Sequence, residues 1–182
     1  NLHVILVHYP VVSKNGDIIA SAVTNLVLHD IARAGRTYGI CSLYIVTPVR
    51  DQLELVDKIV SHWVSGAGAA YNPQRREALS VIRVAESFKA ALAGIATEGN
   101  GFPQTIVTSA QKRTNSLPVT VVRDMIGDGT PYALVLGTAW GLADTFIKQA
   151  DYCLEPICGP TDYNHLSVRS AAAILLDRLL GK

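Results

Sequence analysis

The chain has 182 residues, 49% of them hydrophobic and 17% charged, with a formal net charge of +1. That balance excludes a disordered chain and a globally basic nucleic-acid binder, so any contact with nucleic acid needs a local patch. The length suits one domain, residues 1–182, able to bury a core without disulfide or metal staples.

Leu2 to His8, rich in β-branched and long apolar residues, reads as a first buried strand. Asn15-Gly16-Asp17 is a turn signal, and a helix is expected from Ile19 to Tyr38 with Gly39 as its stop. Its apolar face collects Val23, Val27, Ile31, Ala34 and Tyr38, with Asn25, His29, Arg33 and Arg36 roughly opposite. Cys41 to Val46 is the second strand and Asp51 to Val64 the second helix. A loop marked by Gly66, Gly68, Asn72 and Pro73 then carries Arg75 and Arg76. Leu79 to Val84 reads as the third strand, Glu86 to Ala96 as the third helix, and Gly99 to Pro103 as a turn. A fourth strand, Thr105 to Ser109, ends in the basic loop Gln111-Lys112-Arg113, and Thr120 to Ile126 is a short helix or irregular segment. Leu134 to Leu136 is a buried strand opening into a turn framed by Gly137 and Gly141. Leu154 to Ile157 is a strand end broken by Pro156, and Leu166 to Leu180 is a helix stopped by Gly181. Its core spacing is Val168, Ala171, Leu175 and Leu179. Six strands alternating with helices predict an α/β protein: a parallel-rich six-stranded sheet with helices on both faces.

Several chemistries are disfavoured by what the motifs lack. The five histidines include no HxxxH or HExxH pair, so no metal is expected. Ser13, Ser109 and Ser167 have no nucleophile-elbow context, and the glycines match neither a Walker loop nor GxGxxG. Cys41, Cys153 and Cys158 lack zinc spacing and read as free thiols of a reducing cytosol. With no signal-peptide pattern and no apolar run long enough to span a bilayer, a cytoplasmic location without membrane contact is expected. Asn1 in place of an opening Met reads as a processed or trimmed start. The cations Arg50, Arg75, Arg76, Lys112 and Arg113 stand near element ends, either as scattered surface charge or as an RNA-binding patch.

GTAWGLAD followed by LEPICGPTDYNHLSVRSAAAILLDRLLG resembles the SPOUT superfamily of S-adenosylmethionine-dependent RNA methyltransferases. The likeness is to the branch with a Thermotoga-type RNA methyltransferase and domains fused to bacterial tRNA guanine-base methyltransferases. HDIARAGRTYG, HWVSGAGAAYNPQRREAL and IVTSAQKR extend it over nearly the whole chain. The resemblance implies a carboxyl-terminal trefoil knot, a homodimer, and S-adenosylmethionine held mainly by backbone. The implied cofactor residues are Thr108 and Ser109, then Leu136, Gly137, Thr138, Ala139, Trp140 and Gly141, then Ile157, Tyr163, Asn164, Leu166 and Ser167. Asn25 to Gly39 is similar to the first motif of ribose 2′-O-methylating members, which implies a catalytic Arg33 assisted by Asn25. Arg36, Arg75, Arg76, Lys112, Arg113 and Arg169 are the expected RNA contacts. The second and third motifs depart from that group, reading Thr138-Ala139-Trp140 and Leu166-Ser167-Val168-Arg169. The expected function is methyl transfer to RNA, tRNA foremost, ribose 2′-O ahead of a guanine base. A non-catalytic protein that binds S-adenosylmethionine and RNA is the rival reading.

Overall fold

The computed structural model describes residues 1–99 and 101–182. In chain order the elements are β1 (Leu2–Val7), β2 (Val11–Val12), β3 (Ile18–Ile19), α1 (Asn25–Tyr38), β4 (Leu43–Val46) and α2 (Arg50–Val64). They continue with α3 (Ala67–Tyr71), α4 (Pro73–Leu79), β5 (Ile82–Ala85), α5 (Phe88–Glu98), β6 (Gln104–Val107) and β7 (Ser116–Leu117). The last are α6 (Val119–Ile126), β8 (Tyr132–Gly137), α7 (Asp144–Ile147), β9 (Tyr152–Leu154) and α8 (Val168–Leu180). The turn expected at 99–103 includes Asn100, which lies outside the described residues.

The main sheet has seven strands, not six, in the order β5-β4-β1-β8-β6-β9-β7, and every pairing in it is parallel. The extra strand is β7, whose Ser116 and Leu117 pair with Cys153 and Leu154. Two residues ahead of Pro118 are too few for a hydrophobic period to register. Strand alternation divides the core. Leu2, Val4 and Leu6 of β1 pack on the side of α1, α2, α6 and α8, while Ile5 and Val7 pack on the side of α5 and α7.

The first helix starts at Asn25 rather than Ile19. Ile18–Ile19 instead pairs antiparallel with Val11–Val12 across Gly16, whose φ is 88°. The Ser21 N–H donates to the His8 carbonyl at 2.8 Å and Thr24 supplies the N-cap, so residues 20–24 bond outward rather than along a helix. Its inward face carries Leu28, Ile31, Ala32 and Gly35, with Val27, Ala34 and Tyr38 at the flank. Gly39 ends it with φ 77°, as the stop signal predicted.

The expected loop at 66–73 is two short helices. Asn72 accepts from the Arg75 N–H at 2.9 Å with Pro73 at the first helical position, an N-cap arrangement rather than a turn. Leu79 therefore closes α4, and β5 begins three residues later than expected. In α8 the buried residues are Ala172, Leu175, Leu176 and Leu179; Val168 and Ala171 are half-buried. Among the described residues no helix is long and apolar enough to cross a membrane, and the three cysteines are unpaired.

Two features of this topology position the site. The chain leaves β1 toward β4 on one side, while β8 leads across β6 to β9 on the other. Connections therefore diverge between neighbouring β1 and β8, which makes their carboxyl ends the switch point where open α/β sheets take a ligand. Strand β9 also lies between β6 and β7, which follow one another in sequence.

Candidate functional site

β8 ends in Gly137, opposite Val7 of β1, and the next four residues form a turn that L-amino acids resist. Ala139 has φ 52° and Gly141 φ 103°, the left-handed region disfavoured by a Cβ. Anchors on both sides impose that shape. The Thr138 N–H donates to the Val7 carbonyl at 3.2 Å, the Trp140 N–H to the Val12 carbonyl at 3.1 Å, and Val12 returns its own N–H to Gly141 at 3.0 Å. A Cβ at Gly137 would stand 2.7 Å from the Leu142 nitrogen, so only glycine allows the chain to double back there. The Ala139 N–H and the Ala139 and Trp140 carbonyls make no hydrogen bond among the described residues.

The loop after β6 is held to the same edge, because Thr108 donates both its N–H and its hydroxyl to the Val135 carbonyl, at 3.1 and 3.0 Å. The Ser109 hydroxyl accepts from the Gln111 N–H at 3.1 Å. Beyond β9, Ile157 packs half-buried on the core that contains Leu136, and Ser167 caps α8 by accepting from the Ser170 N–H at 3.2 Å. Three cross-links join these loops. Asn164 Nδ2 donates to the Ala110 carbonyl at 2.9 Å, the Trp140 and His165 rings stand 5.5 Å apart, and Arg113 pairs with Asp144 at 2.7 Å. All three segments read as cofactor loops therefore meet.

Their chemistry fits a flat, polar, cationic ligand. Free carbonyls of the strained turn can accept from its donors, and Ile157, packed on the core that contains Leu136, and exposed Leu166 offer apolar surface suited to a ring. Trp140 is 56% and Tyr163 75% exposed, which is costly surface for a lone chain to leave bare.

Asn25 and Arg33 are both exposed on α1. Asn25 starts the helix close to the sheet's carboxyl edge. Arg33 sits eight residues further, roughly 12 Å down the axis at about 1.5 Å per residue. There it lines a depression of about 430 Å3 with Arg36, Thr37, Gln74, Glu77 and Ala78, so the two do not meet at one atom within this chain.

Half of the expected RNA contacts carry carboxylate partners: Arg36 with Glu77, Arg113 with Asp144, and Arg169 with Asp30. Arg75 lies over the Trp63 ring at 4.6 Å, and Arg76 and Lys112 are exposed. His29, against the edge of Trp63, has its pKa lowered by burial and then by Arg75.

Sequence reading missed His8, Ser21 and the acidic partners Asp30, Glu77 and Asp144. The one available signal was His8 itself, a polar residue closing an otherwise apolar strand. It is 1% exposed, its Nδ1 lies 3.0 Å from Ser21 Oγ, and burial pushes its pKa down to about 4, opposed by the hydrogen bond at Ser21.

A family model described as SAM-dependent RNA methyltransferase matches residues 1–181. A Nitratidesulfovibrio vulgaris protein named tRNA (guanine-N(1)-)-methyltransferase is 44% identical over 181 residues; the match covers 100% of this chain but 42% of the relative, so the chain spans less than half of it. An uncharacterized Aquifex aeolicus protein is 36% identical, with 100% of this chain and 89% of the relative covered. The solved structure of an A. aeolicus TrmH/SpoU tRNA modifying enzyme shares the fold at TM-score 0.57 and 15% identity, over 98% of this chain and 73% of that one. The chain belongs to the SAM-dependent RNA methyltransferase family, whose cofactor is S-adenosylmethionine.

Proposed function

We propose that this chain methylates tRNA, with a guanine base as the favoured acceptor, through a cofactor site built from Thr108–Ser109, Leu136–Gly141 and Ile157–Ser167. The convergence of those three loops at the carboxyl edge of β1 and β8 carries the reading, since side chains tie them together. The relatives named for tRNA guanine-N1 methylation support the acceptor, although they are more than twice as long as the matched region. The ribose preference expected from the first-motif likeness loses ground, because within one protomer Arg33 does not stand at the turn.

S-adenosylmethionine supplies a methyl group on a sulfonium, already electrophilic, so the chain's task is binding, alignment and handling of one proton. The main chain of the Gly137–Gly141 turn accepts from the cofactor's donors, and Leu136, Ile157 and Leu166 exclude water from its ring. Trp140 and His165 close one side. His8 is a poor candidate to take the acceptor's proton, because its ring is buried and burial lowers its affinity for a proton, with the pKa pushed down to about 4.

We further propose a trefoil knot and a homodimer. The position of β9 between β6 and β7, with α8 packed on α1 and α6, supports the knot: the 108–115 loop would span the chain that leaves β9, with the following segment passing through it. Exposed Leu26, Trp140, Tyr163 and Leu166 supply apolar surface for a second copy. The likeness of Asn25 to Gly39 to the first motif of ribose-methylating members supports ribose 2′-O transfer as a second reading, in which a second copy would supply Arg33 to the cofactor edge.

Unmodified tRNA incubated with the purified chain and methyl-labelled S-adenosylmethionine, followed by nucleoside mass spectrometry, tests the proposal. A labelled base-methylated guanosine is expected. A 2′-O-methyl nucleoside would replace it with the second reading, and no label despite cofactor binding would leave a binding protein.

A further inference from the structure

Three polar side chains far apart in sequence meet where the cofactor turn joins the sheet: His8 just past β1, Ser21 in the extended lead into α1, and Thr138 in the turn. His8 Nδ1 lies 3.0 Å from Ser21 Oγ, Ser21 Oγ contacts Thr138 Oγ1, and Thr138 Oγ1 lies 3.0 Å from the Val7 carbonyl. Hydrogen counting fixes the direction of the chain. A carbonyl only accepts, so the single Thr138 hydroxyl hydrogen goes to Val7. Thr138 must then accept from Ser21. Ser21, its own hydrogen committed, must accept from His8, which is therefore the Nδ1–H tautomer. Its Nε2 keeps a bare lone pair, buried and without a partner among the described residues.

Thr138 directly precedes Ala139, the one residue other than glycine with positive φ among those described. A left-handed alanine persists only where its surroundings over-determine it. Trp140 and Gly141 are held on one side by Val12, and Thr138 on the other by Val7 and Ser21. Apolar side chains of equal size would fill this space more cheaply than a buried and a half-buried hydroxyl, but they would leave the turn free to rotate.

We infer that His8 and Ser21 are positioning residues for cofactor binding, acting through Thr138 to hold the Gly137–Gly141 turn in the shape that leaves the Ala139 and Trp140 carbonyls free. The inference rests on the assignment of that turn to S-adenosylmethionine. The relay also joins the turn to the segment that launches α1, so the cofactor edge and the start of the helix bearing Asn25 and Arg33 share one polar hinge.

Calorimetry with S-adenosylmethionine on the full chain tests it, with folding checked by circular dichroism. Ser21→Ala should weaken binding about tenfold, the size of one buried hydrogen bond lost, and Ser21→Thr should restore it to within about twofold. His8→Asn, whose amide can replace the Nδ1 donor, should bind close to the parent, whereas His8→Gln, which places its amide near Nε2, should resemble Ser21→Ala. A parent chain that fails to bind removes the turn assignment itself. A parent that binds, with folded Ser21→Ala binding equally well, overturns the relay alone. Should Ser21→Ala not fold, the histidine pair decides: equal affinities, or Gln outperforming Asn, would overturn it.

Discussion

At its amino end β1 sets His3 Nδ1 2.7 Å from Ser42 Oγ; just past its carboxyl end, His8 Nδ1 stands 3.0 Å from Ser21 Oγ. Both rings are buried, both leave Nε2 unpartnered among the described residues, and burial lowers the pKa of both. Their company differs. Ser42 sits among strand starts, where Val4 donates to its carbonyl at 2.9 Å and no strained turn follows. Ser21 passes its bond to Thr138 and so to the Gly137–Gly141 turn. A parallel sheet delivers its ligand-facing loops to the carboxyl edge, so identical local chemistry acquires a functional role at one end and a packing role at the other.

The largest expected effect ignores the distinction. Leu6, fully buried within β1, supports both ends, and Leu6→Ala should cost about 2–5 kcal/mol of stability by urea denaturation. Cofactor affinity should hold where the variant remains folded, and a parallel loss would mean that the two ends are not separable.

Acidity tests the histidines next. The unfolded chain binds a proton on His8 near pH 6.5 and the folded chain only near pH 4, so stability is complete above the first value and lost as pH falls toward the second. The loss should approach roughly 3 kcal/mol by about pH 4 from His8, with His3 adding in the same direction. A denaturation midpoint flat between pH 7 and pH 4 would contradict the burial of both rings as neutral groups.

Gly137→Val sharpens the contrast at the carboxyl edge alone. Its added carbons meet backbone at Leu142, so about 1–3 kcal/mol of stability and most cofactor affinity should go together, measured by thermal melts and calorimetry. Ser42→Ala is the matching change at the amino edge. It should cost about 1 kcal/mol and leave the affinity for S-adenosylmethionine untouched; weakened binding would erase the difference between the ends. Smallest of all, exposed Arg33→Ala should alter neither stability nor cofactor affinity, while methyl transfer to tRNA reports whether Arg33 acts at all.

Much of the architecture was legible along the chain. The apolar runs at Leu2–Val7 and Leu43–Val46 needed no context, because strands buried on both faces read as unbroken hydrophobic stretches. Gly39 and Gly181 ended their helices as predicted. Errors fell where a local signal had two meanings. Asn72-Pro73 reads as a turn, yet the same pair caps and starts α4. Ile18–Ile19 extends an apolar helix pattern, yet it finds a strand partner in Val11–Val12. The glycine turn could be suspected from Gly137 and Gly141, but its strain at Ala139 could not, since nothing in alanine announces a left-handed conformation.

What the sequence determined by itself was the alternation of strands and helices, the glycines that permit a backbone-lined turn, and a family likeness dense enough in the last forty-odd residues to name a cofactor. Tertiary structure alone decided that β9 enters between β6 and β7, that Arg36, Arg113 and Arg169 carry carboxylate partners, and that Ser21 reaches Thr138, 117 positions away. The physical reason is range. Helix period, capping and turn chemistry act over a few residues and are written locally, whereas hydrogen bonds and ion pairs join whatever the sheet order brings within about 3 Å.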